Sequence, residues 1–395
     1  MNLRRPCYLL RFPVLAAFVL CSCGEPSSTP VAPIAATPVV APGVAAALTL
    51  DLSALPNYAA PAFPRYYSLA VRALNNAPAD NPVTDRGALL GRVLFYDRQL
   101  SINGTIRCAS CHQQANGFTD TAQFSLGFDG VGRTNAHSMR LANARFYGSG
   151  EAFWDQRSPS FEDQSTRPIQ DHVEMGFDSA HGGIDALLIR LRTQLYYREL
   201  FAFAFGDSTI TEPRMQRALA QYVRSIVSTD SRFDQGWSAV FDPARTDSGR
   251  GLPYPTFTAA ENRGKELYLT RVNAGGAGCQ ECHEAPTFAF SPRSGGNGLD
   301  ANEARFFKSP ALRNPGIRGR FMHDGRFTSL EQVVDHYDTG VQLGPALDSR
   351  MRTIPGPPLK LNLSAADRAA LVVFLRTLDD HDLLLDQKFS DPFRR

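Results

Sequence analysis

Two copies of the sequence Cys-x-x-Cys-His constrain this chain more than any other feature. They are Cys108-Ala-Ser-Cys111-His112 and Cys279-Gln-Glu-Cys282-His283. Two thiols at this spacing can form thioether bonds to the two vinyl groups of a haem, and the histidine that follows then lies under the iron. A redox dithiol does not need this histidine, and a zinc site would have to bring the two pairs together. The motifs therefore predict two covalently bound haem c groups, with His112 and His283 as iron ligands.

The N-terminal segment is typical of an export signal. Basic residues precede a short apolar run, Pro13–Leu20, which is too short to span a bilayer as a helix. The run ends in Leu-Cys-Ser-Cys, which resembles a bacterial lipoprotein cleavage box whose last residue is Cys23. An ordinary cleaved signal peptide is the alternative. We expect a lipoprotein signal peptide over 1–22, acylation of Cys23, and a periplasmic protein held to the outer membrane by this lipid.

The organisation of the remainder follows from composition and from a weak internal repeat. Residues 23–55 are rich in proline and alanine and almost uncharged, which predicts an extended tether. Each half that follows has one haem motif preceded by apolar residues at helical spacing. We place the N-terminal haem domain at 56–245 and the C-terminal one at 246–395. The expected fold is mostly α, with two cytochrome c-like haem domains and long loops after a signal peptide and flexible tether.

Helical periodicity predicts further helices in both halves. Apolar residues recur at helical spacing over 184–205, 212–228 and 364–378. A capping box, Thr258-x-x-Glu261, precedes the second haem motif. With 395 residues, 43% of them hydrophobic, the chain is long enough for two domains that each bury a core.

The charge balance argues against one class of partner. Lysine and arginine number 41 against 39 acidic residues, and the net charge is +2. No long basic run occurs, whereas a surface that binds nucleic acid needs clustered positive charge. We therefore expect no nucleic-acid partner.

Eight stretches around the motifs carry a shared pattern. They are Gly91–Ser101, Cys111–Asp120, Leu141–Arg145, Phe153–Arg157, Arg167–Gly176, Leu312–Asn314, Phe321–Phe327 and Val334–Asp338. Taken together, they resemble the bacterial di-haem cytochrome c peroxidases and their relative MauG. The resemblance implies that the first haem is the peroxidatic one and that the second transfers electrons.

The resemblance also implies roles for residues near the first haem. Glu174 matches the family's distal acid, and Gln164 and Pro168 match other residues of the distal pocket. Chemistry independently favours a carboxyl group there, because bound peroxide must lose a proton from its inner oxygen and gain one on its outer oxygen. Without the surrounding pattern, Glu174 would be interpreted as a solvated loop acid. Trp154 matches the family's tryptophan between the haems, as a stepping point for electrons, a core aromatic residue, or both.

Two positions depart from the commonest peroxidase pattern. Many members have a histidine that blocks the peroxidatic iron until the other haem is reduced, and Phe128 aligns with it. Phenylalanine cannot ligate iron, so the first haem should be open unless His137 is an alternative blocking ligand. At the sixth position of the second haem, where peroxidases use methionine, the alignment places Tyr337, as in MauG. The competing ligands are His336, Met322 and Met351.

The family also binds calcium between its haems, through an asparagine side chain and backbone carbonyl groups. Here His137 stands at the asparagine position, or Asn135 is displaced from it. The usual Thr-Ala-Pro is replaced by Arg318-Gly-Arg320. The carbonyl groups remain, so calcium stays an open alternative as a further cofactor.

Three functions follow from the resemblance. The first is a di-haem peroxidase that reduces hydrogen peroxide to water with electrons from a small periplasmic c-type cytochrome or cupredoxin. The second is a MauG-like oxidase that acts on a protein substrate through high-valent haems, and both Phe128 and Tyr337 favour it. The third is a non-catalytic electron carrier, which Glu174 and an open distal face argue against. We expect the first, a cytochrome c peroxidase-type oxidoreductase.

Overall fold

The structure is a computed structural model that describes residues 41–289, 294–317, 319–353 and 356–394. The predicted signal peptide, the acylation site Cys23 and the first part of the tether lie outside these residues. Within the described ranges the regular elements are helices, and β pairing is limited to isolated bridges. The prediction of a mostly α fold is therefore confirmed. In the same ranges, no helix has the length and apolar character needed to cross a membrane.

The helices that the structure describes follow one another with long connections. They are α1 (Pro42–Ala47), α2 (Leu69–Arg72), α3 (Asp85–Tyr96), α4 (Cys108–Cys111), α5 (Phe161–Thr166), α6 (Gly183–Arg192), α7 (Leu195–Phe205), α8 (Glu212–Ser225), α9 (Arg232–Val240), α10 (Ala259–Leu269), α11 (Leu330–Asp335), α12 (Ala365–Arg376) and α13 (His381–Leu385). Short 3-10 turns lie between them, and the second haem motif begins in one, Cys279–Glu281. A π-helical turn, His336–Gly340, continues α11.

Side-chain caps fix where several helices begin. Thr258 Oγ1 accepts the N–H of Glu261 at 3.2 Å, and the Glu261 carboxylate accepts the N–H of Thr258 at 2.8 Å. The predicted capping box is therefore present at the start of α10. Thr211 caps α8, whose first turn holds Pro213, where a missing N–H costs no helical hydrogen bond.

The segment predicted as one helix over 184–205 forms two helices instead. α6 ends before Thr193, and α7 begins after Gln194, which has an extended backbone. The Thr193 hydroxyl donates to the carbonyl oxygen of Arg190 at 2.7 Å. A hydroxyl that bonds a helix carbonyl competes with the helical pattern. The apolar spacing continues across this junction, so periodicity alone did not indicate the break.

Each helix that precedes a haem motif crosses a later helix at a glycine. A Cβ atom on Gly91 of α3 would lie 2.0 Å from the carbonyl oxygen of Ala218 in α8. A Cβ atom on Gly264 of α10 would lie 2.0 Å from the carbonyl oxygen of Ala370 in α12. Any side chain at these positions would clash with backbone, so the glycines let the paired helices approach closely. The weak repeat in the sequence thus corresponds to a repeat in helix packing.

Two hydrophobic cores lie beside the two haem motifs. Helices α3, α7 and α8 contribute to the first core, against which Cys108 packs. Helices α10 and α12 contribute to the second, against which Cys279 packs. The second core also includes buried residues from the N-terminal half, among them Tyr147 and Phe233. The two halves therefore share packing, and the domain limits at 56–245 and 246–395 stay a prediction.

The C-terminal end of the predicted tether is part of the folded body. Helix α1 lies within 23–55, yet Val44 is 2% exposed and Leu48 is fully buried. The Glu199 carboxylate of α7 accepts the backbone N–H groups of Gly43 and Val44, at 3.1 and 2.8 Å. The predicted tether over 23–55 is therefore too long, because residues from Pro42 onward belong to the folded body. The composition of this segment is that of a linker, yet its apolar side chains Val44 and Leu48 are buried.

Candidate haem sites

The first haem motif opens on a cavity of about 420 Å³. Cys108 and Cys111 of α4 and the following His112 form one side of it. Glu174 and Gln164 line the same cavity, together with Pro168, so the structure brings the predicted distal residues to the first motif. The four motif cysteines form no disulfide, so all four are available for thioether bonds to haem. Burial raises the pKa of both Cys108 and Cys111 to about 12, which keeps them protonated.

The orientation of His112 suits an iron ligand. Its Nδ1 lies 3.1 Å from the carbonyl oxygen of Phe118 and 3.2 Å from the Ser138 hydroxyl. A carbonyl oxygen can only accept, so the Nδ1 atom carries the hydrogen and Nε2 keeps its lone pair. Burial lowers the pKa of His112, which favours the neutral ring that binds metals.

The second motif opens on a separate cavity of about 220 Å³, lined largely by apolar side chains. Cys279, Cys282 and His283 all border it. The Nδ1 atom of His283 lies 2.9 Å from the carbonyl oxygen of Pro310. As in His112, Nδ1 therefore carries the hydrogen and Nε2 keeps its lone pair. Burial lowers the pKa of His283 to about 4. The second site therefore repeats the arrangement of the first.

Arg140 provides a test of whether these cavities fit haem. Its side chain lines both cavities and is only 5% exposed. Its Nε–H has no hydrogen-bond partner within the described part of the chain, and burial lowers its pKa to about 10. A buried, unsatisfied guanidinium nitrogen fits a carboxylate group of a ligand. Haem carries two such propionates, so the residues present fit a haem in each cavity.

Glu174 is a half-buried carboxyl group on the wall of the first cavity. Burial, and then the negative charge of Asp171, raise the pKa of Glu174 to about 7, while Arg157 opposes this shift. The backbone N–H groups of Val173 and Glu174 donate to one carboxylate oxygen of Asp171, at 2.7 and 3.0 Å. The loop that holds Glu174 is therefore fixed. A carboxyl group with this pKa can accept and return a proton near neutral pH.

Trp154 lies between the two candidate sites, because its side chain lines both cavities. Its indole Nε1–H donates to the carbonyl oxygen of His137 at 2.7 Å. The indole ring meets the His323 ring edge to face at 6.4 Å, and His323 stacks on Phe307 at 3.8 Å. These three aromatic rings form a contiguous layer between the haem motifs. The structure thus places Trp154 beside both motifs, and its role as a stepping point for electrons stays a prediction.

His137 lines the first cavity, and both of its ring nitrogens have contacts. Its Nδ1 lies 3.1 Å from the carbonyl oxygen of Gln123, and its Nε2 lies 3.5 Å from the Thr119 hydroxyl. The residue is 2% exposed, so the ring is fixed by packing as well. Phe128 packs near Gly176 rather than along the cavity wall, and its N–H donates to the carbonyl oxygen of Glu174. Phe128 therefore offers the first cavity no ligand, whereas His137 lines that cavity with both ring nitrogens in contact with other groups.

The structure separates the four candidates for the sixth ligand of the second haem. The side chains of Tyr337, Met322 and Met351 line the second cavity. His336 does not line it, and its Nε2 lies 3.1 Å from the carbonyl oxygen of Asn297. The sulfur of Met322 accepts a hydrogen bond from the Asn297 amide at 3.3 Å, whereas burial raises the pKa of Tyr337 to about 12. Tyr337, Met322 and Met351 therefore remain the candidates that border the second cavity.

Three residues of these sites were not predicted from the sequence. The cavity walls include Arg140, Asp171 and Phe153, but the identity of these residues alone did not indicate a functional site. The available signal was position, since Asp171 and Phe153 lie within stretches that match the family pattern.

Of the positions considered for calcium binding, Arg318 lies outside the described residues. Among those described, no group of three or more His, Cys, Asp or Glu side chains is arranged to hold a metal ion.

Comparisons with known proteins agree with this geometry. A family model described as di-haem cytochrome c peroxidase matches residues 85–239. The methylamine utilization protein MauG of Methylophilus methylotrophus is 30% identical over 316 residues, which cover 77% of this chain and 85% of that protein. The cytochrome c551 peroxidase of Nitrosomonas europaea is 30% identical over 271 residues, which cover 63% of this chain and 71% of that protein.

A solved structure extends the similarity to the fold. The crystal structure of a MauG-like protein associated with microbial copper homeostasis matches with a TM-score of 0.63 and 29% sequence identity. The match covers 86% of this chain and 98% of that one. Most of this chain therefore shares the fold of a MauG-like protein.

Proposed function

The chain belongs to the di-haem cytochrome c peroxidase family, which implies two haem c groups, and from this premise we propose that it reduces hydrogen peroxide to water. The position of Glu174 carries the proposal, because this carboxyl group lines the cavity onto which the first haem motif opens. A haem held by Cys108, Cys111 and His112 would supply an iron that binds peroxide and exchanges electrons with it.

Glu174 would move the protons of this reaction. With a pKa of about 7, the group is present in both protonation states near neutral pH. As a carboxylate it takes the proton from the inner oxygen of hydrogen peroxide, and as a carboxylic acid it returns this proton to the outer oxygen, which leaves as water. Two electrons and two protons complete the reduction to two water molecules. Gln164, on the same cavity wall, orients peroxide through a hydrogen bond.

The electrons come from outside the chain through the second site. Cys279, Cys282 and His283 would hold the second haem, and the Tyr337 phenol on the same cavity wall would tune its electron affinity. Trp154 lines both cavities, which makes its indole ring a stepping point between the two sites. A small c-type cytochrome or cupredoxin in the periplasm is the proposed electron donor.

A second candidate function is the oxidation of a side chain on another protein. It is favoured by Tyr337 on the wall of the second cavity, because a phenolate ligand stabilises higher oxidation states of iron than a methionine does. The 30% identity to a MauG protein supports the same candidate. The raised pKa of Glu174 in the first cavity argues against a non-catalytic electron carrier, because electron transfer alone needs no acid–base group there.

Export and lipid attachment complete the proposal. They rest on the N-terminal sequence, where a short apolar run ends at Cys23. The two haem attachment motifs and the proline- and alanine-rich composition after Cys23 support a protein held at the outer membrane and exposed to the periplasm. In this location a small soluble redox protein has access to the folded body.

Steady-state consumption of hydrogen peroxide with a reduced c-type cytochrome tests the proposed function. We expect oxidation of two cytochrome molecules for each peroxide consumed. A holoprotein with both haems that consumes no peroxide with several reduced cytochromes or cupredoxins would contradict the peroxidase proposal. If the same protein oxidises a partner protein's side chains when peroxide is added, the second candidate function is the correct one.

A further inference from the structure

A polar cavity of about 440 Å³ lies next to Glu174, and the proposed reaction as stated makes no use of it. Acids and amides form much of its wall, in contrast to the largely apolar second haem cavity. Among the lining side chains are Asp163, Asp171, Glu212, Gln170 and Gln216. Gln170 is exposed, so the cavity reaches the protein surface near this residue.

The polar cavity and the first haem cavity share part of their walls. The shared residues are Phe153, Arg157, Pro168 and Glu174. The Arg157 guanidinium lies 3.7 Å above the Phe153 ring. Phe153 has a φ of +66°, which side chains other than glycine rarely adopt and which places its ring at this junction at a cost in strain. Glu174 therefore lines both cavities where they meet, next to Phe153 and Arg157.

Hydrogen bonds hold the polar wall in place. One oxygen of the Glu212 carboxylate accepts the Thr166 hydroxyl at 2.7 Å and the Gln170 amide at 3.0 Å. The Gln216 amide donates to the same Thr166 hydroxyl at 2.9 Å. These groups leave further donors and acceptors for a small polar molecule. Such a wall suits hydrogen peroxide and water, which need hydrogen bonds along their path.

We propose that this polar cavity is the access route by which small neutral hydrogen-bonding molecules, hydrogen peroxide among them, reach Glu174 and the first haem site. The identity of the substrate, hydrogen peroxide, rests on the proposed function. The position of the route rests only on the walls of the two cavities. Asp171 acts as a positioning residue on this route, since it fixes the backbone of Glu174 at the junction. Protons for Glu174 arrive by the same path.

The structure also contains a competing route on another side of the first cavity. Leu126 lines that cavity and is 40% exposed, and the charged residues Asp300 and Arg326 line it as well. A molecule that entered there would not pass the polar cavity. Gln170 and Leu126 are therefore matched positions, since each is an exposed residue at one of the two openings.

The test compares Gln170→Trp with Leu126→Trp in the protein that carries both haems. The probe is hydrogen cyanide, which is small and neutral near neutral pH, and the readout is its binding rate to the oxidised protein. We expect Gln170→Trp to slow cyanide binding by about tenfold or more, because the indole ring narrows the opening through which cyanide must diffuse. Leu126→Trp should bind cyanide at the parental rate. Gln170→Leu, which removes the same amide without filling the opening, should slow binding much less than Gln170→Trp does.

The same variants are then mixed with hydrogen peroxide, and the rates should change in parallel with those for cyanide. Slowing by Leu126→Trp alone, equal slowing by both tryptophan variants, or an unchanged rate in Gln170→Trp would overturn the proposed route. Equal slowing by Gln170→Leu and Gln170→Trp would also overturn it, because loss of the amide would then be the cause. If the parent binds cyanide but is inert to peroxide, the proposed function fails while the cyanide rates still decide the route.

Discussion

One carboxylate oxygen of Asp171 accepts the backbone N–H of Glu174 at 3.0 Å, and the charge of Asp171 adds to burial in raising the pKa of Glu174 to about 7. The two acids thus have different tasks. Asp171 holds the loop, and Glu174 is left as a group that changes protonation state near neutral pH. The protein can therefore use a glutamate where a histidine would otherwise have the suitable pKa.

Asp171→Asn should move the pH profile of the peroxide reaction toward lower pH. Asparagine keeps the oxygen that accepts the backbone N–H groups but removes the negative charge, so the pKa of Glu174 falls. The carboxylate form that takes the first proton is then present at lower pH, and the acidic limb of the rate profile shifts down. Asp163→Asn is the control, since Asp163 lines the same polar cavity but is not among the charges that shift Glu174. An acidic limb that stays in place or moves up would show that Asp171 does not tune Glu174.

Covalent haem content can be tested one motif at a time. Replacing Cys108 and Cys111 together with alanine should leave one haem per chain, and so should replacing Cys279 and Cys282. The reason is that each pair supplies both thioether bonds of one haem. Haem stain after denaturing electrophoresis and intact mass provide the measurement. A variant that keeps two covalent haems would refute the attachment sites.

The sixth ligand of the second haem is tested by a pair of substitutions. Tyr337→Phe should change the absorption spectrum and reduction potential of one haem, because it removes the phenol oxygen from the second cavity. Met322→Leu should leave both nearly unchanged, since the Met322 sulfur already accepts the Asn297 amide. Electron paramagnetic resonance of the oxidised protein reports the ligand change directly. The reverse result would assign the position to Met322.

Membrane attachment depends on Cys23 in this account. Cys23→Ala should abolish acylation, so the protein should leave the membrane fraction or accumulate with its signal peptide uncleaved. Fractionation of cells that express the parent and the variant measures this, with Cys21→Ala as the matched control because it leaves the acylated cysteine in place. The same soluble location for parent and Cys23→Ala would contradict the lipoprotein proposal.

The sequence was informative where chemistry depends on residue type and spacing, and less so where it depends on geometry. The two haem motifs were predicted from residue type and spacing, and Glu174 and Trp154 from the resemblance to the family. The structure places all of them on the walls of the two cavities, and their roles stay predictions. Arg140 and Asp171 were missed because their roles come from burial and from a turn that aims a carboxylate at a neighbouring N–H group. These properties depend on how distant segments pack.

The same distinction applies to the fold. Capping by Thr258 was predicted from a local pattern, and it is present because caps depend only on neighbouring residues. At the break between α6 and α7, the Thr193 hydroxyl donates to the carbonyl oxygen of Arg190, a contact that hydrophobic periodicity does not register. The packing of α1 depends on Glu199, which is distant in the sequence.

The central claim is that the first site is open and that Glu174 moves the protons of peroxide there. The direct test mixes hydrogen peroxide with the fully oxidised protein in a stopped-flow spectrometer and compares the parent with Glu174→Gln. The parent should react without prior reduction, and Glu174→Gln should keep both haems and the resting spectrum yet react more slowly by on the order of 10²–10⁴-fold. A parent that stays inert until one electron is added, or a Glu174→Gln variant as fast as the parent, would contradict the account.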